Sequence, residues 1–275
     1  MINPMNTDHR EERRVPLFAR RIIRSKSRSL FGASTRLSRA IAASLGLKSD
    51  KPFWRRFEDS AASALRELPA GATVLDLGGG RRCVYAGALP ADHELKLVAV
   101  DISAEELAAN RDVSETRVAN VAIGLPFPDQ SVDLILSRAL LEHIDGVPDA
   151  VQNMARVLKP GGQALHFLPG RYSLFGIAAR MLPFERLLSL LHAVKPDTRG
   201  QVEFEVFYDH CHPAALEGLF KEAGFREVSV EVCWAQSGYF EPVPPLFLLT
   251  SLYDWIVRRL AIKRLAAYMI VSATR

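Results

Sequence analysis

Short apolar runs alternate with stretches of helical spacing along most of this chain. Val74 to Leu77, the run inside Glu94 to Ser103, Val132 to Ser137 and Gln163 to Leu168 are bounded by turn residues and predict buried strands. Helical stretches fall around them. Phe53, Phe57, Ala61, Ala64, Leu65 and Leu68 repeat along one side after Asp50 and Pro52 and stop at Pro69-Ala70-Gly71. Before them Leu37, Ile41 and Leu45 recur at i, i+4 and i+8 ahead of Gly46, which predicts a short amphipathic helix, with order beginning near Ser34. After Gly170, Leu174, Ile177, Ala178, Met181 and Leu182 return at helical spacing, followed beyond Pro183 by Leu187, Leu188 and Leu191. Pro213 opens a helix that Gly224 ends. Val228 to Trp234 and Ala267 to Ala273 read as two last strands, with PPLFLLTSLYDWIVRRL as a helical excursion between them. Strands alternating with helices predict an α/β domain.

The first strand carries the chemistry. Val74 to Leu77 runs into Gly78, Gly79 and Gly80, and the segment after them can open a helix. In such a turn the missing Cβ atoms let backbone N–H groups and a helix amino end approach a ligand. Asp76 stands at the carboxyl end of the strand, where it can accept a hydrogen bond from the loop or the ligand. A glycine run after a strand also serves as a plain βα turn, but the next strand ends in Asp101, where an acid reaches ribose hydroxyls in a doubly wound nucleotide site. The pattern is D-x-G-x-G with no glycine at Cys83, which fits a nicotinamide cofactor poorly.

With VLDLGGG and VAVDIS, the stretches ANVAIGLPFPDQSVDLILSRALLEHI and RVLKPGGQALHFLPG resemble the class I S-adenosylmethionine-dependent methyltransferases, in particular the branch that includes quinone and other small-molecule enzymes. The resemblance covers Val74 to Gly170. It implies a Rossmann-like α/β fold: a seven-stranded, mostly parallel sheet with one antiparallel edge strand, helices on both faces, and a helical lid insertion at residues 170–205. It also implies S-adenosyl-L-methionine as cofactor, held by Asp76, Gly78, Gly79, Gly80, Asp101, Ile102, Asn120, Val121 and Ser137. Asn120 stands where many relatives place an acid that contacts the adenine amine, and its side-chain oxygen can still accept from that amine. Arg82 replaces the last glycine of the fuller D-x-G-x-G-x-G motif; it either crowds the loop or pairs with the cofactor's carboxylate.

His143, just past the fourth strand, is the candidate general base, worth about 10²–10⁴-fold when used. Relatives with the LEHI pattern often use this histidine structurally. A sulfonium methyl is already activated, so few catalytic side chains are required, and oxygen, nitrogen and carbon acceptors all remain open. His210 and His212 share a face if extended, but no third ligand accompanies them, so no metal is expected.

Composition refines this picture. Hydrophobic residues make up 48% of the 275, as in a globular protein with a real core. Cys83, Cys211 and Cys233 lack C-x-x-C spacing, which fits a reducing cytoplasm and neither a disulfide framework nor zinc. The formal charge of +4 is unevenly spread: residues 1 to 51 hold 12 Lys/Arg against 4 Asp/Glu, and the remaining residues are net acidic. This basic N-terminal extension interleaves Arg13, Arg14, Arg20, Arg21, Arg24, Lys26 and Arg28 with Leu17, Phe18, Ile22, Ile23, Leu30 and Phe31. It has no h-region of a secretory signal, and reads either as a partly disordered, solvated tail or as an arm for peripheral membrane association; residues 52–275 form the methyltransferase domain. No transmembrane segment and no nucleic-acid partner are expected, because the apolar excursion is short and the positive charge does not continue into the domain. The reading is methyl transfer to a small-molecule acceptor, hydrophobic or lipid-linked, with a polar metabolite as the competing acceptor. Two other function classes stand beside it: an S-adenosylmethionine-binding scaffold without catalysis, and a nicotinamide-dependent oxidoreductase.

Overall fold

The structure is a computed structural model that describes residues 32–44, 53–89, 94–183 and 204–275, with a few positions between 184 and 190. The arm 1–31, the expected helix boundary at Leu45, Gly46, Asp50 and Pro52, and most of the lid candidate beyond Pro183 lie outside the described residues. Helix α1 spans 32–44. In chain order there follow α2 (Phe53–Glu67), β1 (Thr73–Leu77), β2 (Lys96–Asp101), α3 (Ala104–Ala108), β3 (Glu115–Val118), β4 (Val132–Arg138), α4 (Val147–Val157), β5 (Leu158–Pro169), α5 (Leu174–Met181), α6 (Pro213–Glu222), β6 (Arg226–Cys233), α7 (Pro244–Arg259) and β7 (Tyr268–Thr274).

The seven strands form one sheet in the order β3-β2-β1-β4-β5-β7-β6. β1 to β5 run parallel, and β7 runs antiparallel to both of its neighbours, so the antiparallel strand sits one place in from the edge strand β6. The chain leaves β1 towards β2 on one side and returns at β4 on the other, which opens a crevice at the carboxyl ends of β1 and β4.

Both faces of the sheet are covered. Along β4, Leu134 and Leu136 join one core cluster with Phe53, Phe57, Ala61 and Leu65 of α2, while Ile135 joins the other with Val147, Val151 and Met154 of α4. The period-2 alternation of a strand thus feeds two cores, which explains why these strands read as unbroken apolar runs. Strand β5 begins earlier than its apolar run suggests. Leu158 pairs with Val132, and the register then shifts across Lys159 to Gly162 before Gln163 pairs with Leu134.

Helix α1 is present, but with a different inward face from the expected Leu37–Ile41 stripe. Leu37 is exposed, whereas Ser38 and Ala42 are buried. The Ser38 hydroxyl donates to the Glu241 carbonyl at 2.8 Å, and Arg39 pairs with the Glu241 carboxylate at 2.9 Å. These two contacts turn the helix by one residue from its apolar stripe. Of the lid candidate, α5 is described; it approaches the body through Gly176, and the other positions of the helix are half-buried or exposed.

Candidate active site

The crevice is walled by the β1 turn, the end of β2 and the turn after β4. Gly78 N–H donates to Val100 O at 2.7 Å and Gly79 N–H to the same oxygen at 3.2 Å, which folds the glycine turn back over β2. Gly78 takes φ +74° and Gly80 φ +40°, both in the left-handed region that glycine tolerates. At Gly79 the reason is space: a Cβ would lie 2.8 Å from Ala99 Cβ and 3.0 Å from Asp76 O.

Asp101 organises the loop. One carboxylate oxygen accepts from Gly80 N at 3.1 Å and the other from Ser103 N at 2.9 Å, so the turns after β1 and β2 are tied together. Asp76 is buried beneath them. Burial pushes its carboxyl up to about 7; the Cys83 thiol pulls the other way, and the charge of Asp101 adds to the rise. Two further residues, not singled out from the sequence, hold the loop. Asn110 Nδ2 donates to Gly79 O at 3.2 Å and Gly80 O at 2.9 Å, and Arg81 makes a two-pronged pair with Glu106 at 2.7 and 2.6 Å. Neither pair has a local sequence signal, because the partners are 25 to 31 residues apart.

A hollow of about 170 Å³ opens here, lined by Asp76, Gly78, Arg82, Val84, Tyr85, Arg138 and Ala139. Arg82 stands exposed in its wall, and Arg138 pairs with Glu58 at 3.3 Å and lies 5.6 Å over the Trp54 ring. Tyr85 Oη is buried without a hydrogen-bond partner. A larger hollow, about 340 Å³, lies at the amino ends of β4 and β5. Two of its arginines are engaged by the protein: Arg156 donates to the carbonyls of Leu125 and Phe127, and Arg275 to those of Ala155 and Gly224. Open α/β sheets do not place their ligands at that end.

The remaining site candidates divide. Ile102 follows Asp101 with its side chain in solvent, and Val121 turns into the core. Asn120 Oδ1 accepts from Ala122 N at 3.0 Å, so the oxygen expected to meet an adenine amine already shapes its own turn. Ser137 does not reach the crevice: it is fully buried, and its hydroxyl meets His166 Nδ1 at 2.7 Å on the neighbouring strand. Burial pushes His166 down to about 3, so it is a neutral imidazole within the sheet.

His143 sits in the turn Leu141–His143 after β4. Its Nδ1–H donates to the Glu205 carbonyl at 2.8 Å, which leaves the lone pair on Nε2, 3.9 Å from a Glu142 oxygen. Burial lowers its pKa, so the ring is neutral at pH 7. Glu142, also missed from the sequence, is buried, and one of its carboxyl oxygens has no partner. Burial pushes this carboxyl up to about 8. His210 pairs with Asp209 at 2.6 Å, and His212 accepts from Ala215 N as the cap of α6, so each has a local partner.

A row of rings begins beside the crevice. Phe167 pairs in register with Arg138 of its wall and stacks on Tyr268 with centroids 5.4 Å apart. Tyr268 meets Tyr239 through their hydroxyls and at 6.5 Å between rings, and Tyr239 stacks on Phe175 of α5 at 6.3 Å.

A seven-stranded sheet with this order, a glycine turn on β1 and an acid at the end of β2 define a Rossmann-like nucleotide-site protein. The chain belongs to the class I S-adenosylmethionine-dependent methyltransferases and is an enzyme of that kind. The family described as "Methyltransferase domain" matches residues 75–166. The ubiquinone/menaquinone biosynthesis C-methyltransferase UbiE of Vibrio campbellii is 31% identical over 186 residues, covering 63% of this chain and 70% of that protein. Among solved structures, phosphoethanolamine N-methyltransferase 2 of Haemonchus contortus, in complex with S-adenosyl-L-methionine, has a TM-score of 0.51 at 17% identity, over 81% of this chain and 52% of that one. This chain therefore spans about half the length of that neighbour. The [4+2]-cyclase SpnF also has a TM-score of 0.51 at 17% identity, over 80% of each chain. These two likenesses concern the fold.

The crevice residues fit S-adenosylmethionine. The left-handed glycines and the close approach at Gly79 make a turn without side chains, the orphaned Tyr85 hydroxyl offers a hydrogen bond, and Arg82 with Arg138 suits a carboxylate.

Proposed function

We propose that this enzyme transfers a methyl group from S-adenosylmethionine to a hydrophobic aromatic acceptor of the quinol type, at a ring carbon. The row Phe167–Tyr268–Tyr239–Phe175, starting at the wall of the cofactor crevice, carries this reading. The UbiE-type relatives support it. Flat rings stack on flat acceptors, and offset stacking adds about 0.5–1.5 kcal/mol beyond burial. Methyl-labelled S-adenosylmethionine with the whole chain and a cell extract tests it: label is expected in the organic phase after partition. Label confined to the aqueous phase would sink the hydrophobic acceptor and favour a polar metabolite.

In this reading Asp76, Gly78, Gly79, Gly80, Asp101, Ile102, Asn120 and Val121 form the cofactor seat, with Tyr85, Arg82 and Arg138 added and Ser137 removed. Asp101→Ala is expected to raise the dissociation constant for S-adenosylmethionine about tenfold to a hundredfold, since hydrogen bonds to a charged group are worth about 1.5–3 kcal/mol. Calorimetric titration measures this, and unchanged affinity would remove Asp101 from the seat.

The cofactor supplies an electrophilic methyl group on a sulfonium. The protein holds the acceptor in line and keeps water out, which is worth about 7–11 kcal/mol in such reactions. A ring carbon attacks well only when a neighbouring hydroxyl loses its proton, and His143 Nε2, with its tautomer set by the Glu205 carbonyl, is the group assigned to take it. His143→Gln can keep a hydrogen bond to that carbonyl while removing the base. Turnover is expected to fall about 10²–10⁴-fold with cofactor affinity unchanged. If His143→Gln turns over normally while His143→Ala loses stability, the histidine is structural.

The reading places the enzyme in the cytoplasm, with the basic arm 1–31 attaching it to the membrane that holds a lipid-linked acceptor. Arginines near an anionic leaflet contribute about 1 kcal/mol each.

A further inference from the structure

Helix α7 has a mixed inward side: Thr250, Ser251 and Asp254 are buried there between Phe247 and Val257. Thr250 donates to the carbonyls of Leu246 at 2.8 Å and Phe247 at 3.1 Å, and Asp254 accepts from the backbone N–H groups of Gln236 and Ser237, each at 2.9 Å. Its outward side is apolar. Leu249 is 64% exposed, Leu252 53%, Trp255 54% and Ile256 41%, with Leu246 at one end and Leu260 just beyond the other. At about 3.6 residues per turn these side chains share one half of the helix, where only Tyr253 and Arg259 interrupt them. A free surface helix keeps its outward side polar, and a contiguous exposed apolar face marks an interaction site.

Three features choose the occupant. Arg259 and Lys263 place positive charge at the carboxyl end of the face, and Trp255 within it is the residue type that settles at a lipid–water boundary. The Ser38 and Arg39 bonds to Glu241 pin α1 beside the start of α7, and α1 begins at residue 32. The arm that carries Arg13, Arg14, Arg20, Arg21, Arg24, Lys26 and Arg28 therefore joins α1 about two helical turns from its contact with Glu241, three residues before α7. An apolar face with cations at one end complements an anionic lipid surface.

We propose that the outward face of α7 is the surface on which this enzyme lies against an anionic membrane. The inference rests on the reading of a hydrophobic acceptor reached by peripheral attachment, and it gives that attachment its contact surface. It also links docking to the site, because Asp254 of α7 holds the turn Ser237–Phe240 that carries Tyr239 of the aromatic row.

The test is flotation of the full chain with vesicles of phosphatidylcholine containing phosphatidylglycerol, at low salt. The full chain is expected to float, and the triple variant Leu249→Ser, Leu252→Ser, Ile256→Ser to lose at least about tenfold in bound fraction. Its circular dichroism, its cofactor affinity and its labelling of a detergent-dispersed extract should stay unchanged. With Trp54→Phe and Trp234→Phe in place, the emission of Trp255 should be quenched by vesicles with brominated acyl chains. If the triple variant floats like the parent, or Trp255 escapes quenching while the chain floats, the arm alone binds and the α7 surface is refuted with the arm reading intact. If the full chain stays unbound, both fall. If light scattering without lipid finds a dimer that the triple variant dissociates, the face belongs to a second copy, which overturns the proposal. Failure of the acceptor reading is visible separately, as absence of organic-phase label from parent and variant alike.

Discussion

Gly79→Val is expected to abolish measurable S-adenosylmethionine binding and to lower the stability of the cofactor-free enzyme by about 1–3 kcal/mol. Gly79 takes an ordinary φ, so the penalty is one of space. Its Cβ would sit 2.8 Å from Ala99 Cβ, 3.0 Å from Asp76 O and 3.2 Å from Asp76 Oδ2, on strands that cannot give way without breaking the β1–β2 ladder. The loop would have to lift, taking with it the Gly79 and Gly80 carbonyls that Asn110 holds and the Gly80 N–H that Asp101 accepts from. Gly87→Ala is the matched control, since nothing lies within 4 Å of a Cβ there. It should change stability by no more than about 0.5 kcal/mol. Calorimetric titration and urea unfolding of the two variants give the answer; normal cofactor affinity in Gly79→Val would mean that the glycine turn is not the seat.

The second large effect is a loss of stability with rising pH. Asp76 and Glu142 are buried carboxyls whose folded values are raised to about 7 and about 8 from ordinary values of 3.8 and 4.5. The folded state keeps these protons at pH values where the unfolded chain has released them, so it binds more protons and its stability falls as pH rises. The contribution is intact below about pH 4 and lost progressively through the folded values, near pH 7 and 8. Each shift of about three units corresponds to a loss on the order of 4 kcal/mol by pH 9. Glu142→Gln removes one of the two titrations and leaves an amide able to donate a hydrogen bond in the same place. Urea unfolding from pH 5 to 9 should show a steep decline in the parent and a shallower one in the variant. Parallel curves would show that Glu142 ionises without strain and has a partner in solution.

The existence and order of the strands, the glycine turn and the acid at the end of β2 were legible because each depends on neighbours in sequence. A buried parallel strand must be apolar on both faces, and a turn entered at φ +74° favours glycine. The same holds for α2, whose Phe53, Phe57, Ala61 and Leu65 all face the core as their spacing predicts. Where a residue's partner comes from a distant segment, local pattern failed. Ser137 has the address of a ligand contact, at the carboxyl end of β4, yet His166 across the β4–β5 ladder takes its hydroxyl. Asn110 looks like any polar residue after a short helix until it is seen holding the glycine loop. Glu142 carries no signal in the sequence and is buried beneath the turn, its own carbonyl accepting from Phe207 and Tyr208.

The two helices that contradict their own apolar stripes mark the division most clearly. Sequence alone determined the order of elements, the doubly wound sheet and the glycine turn after β1, because those follow from periodicity and from backbone conformations that few residues tolerate. It did not determine which side of α1 or α7 faces inward. Hydrophobic burial is non-directional, at about 25 cal/mol per Å² wherever it occurs, so a stripe of leucines specifies that a face is covered but not by what. Only the tertiary structure decided that Ser38 and Arg39 would bind Glu241, and that Asp254 would turn inward to hold the Gln236 and Ser237 N–H groups. Buried backbone donors left unpaired cost about 1–3 kcal/mol each, and Asp254 meets the N–H groups of Gln236 and Ser237, which fixes α7 with Leu249, Leu252 and Ile256 facing outward.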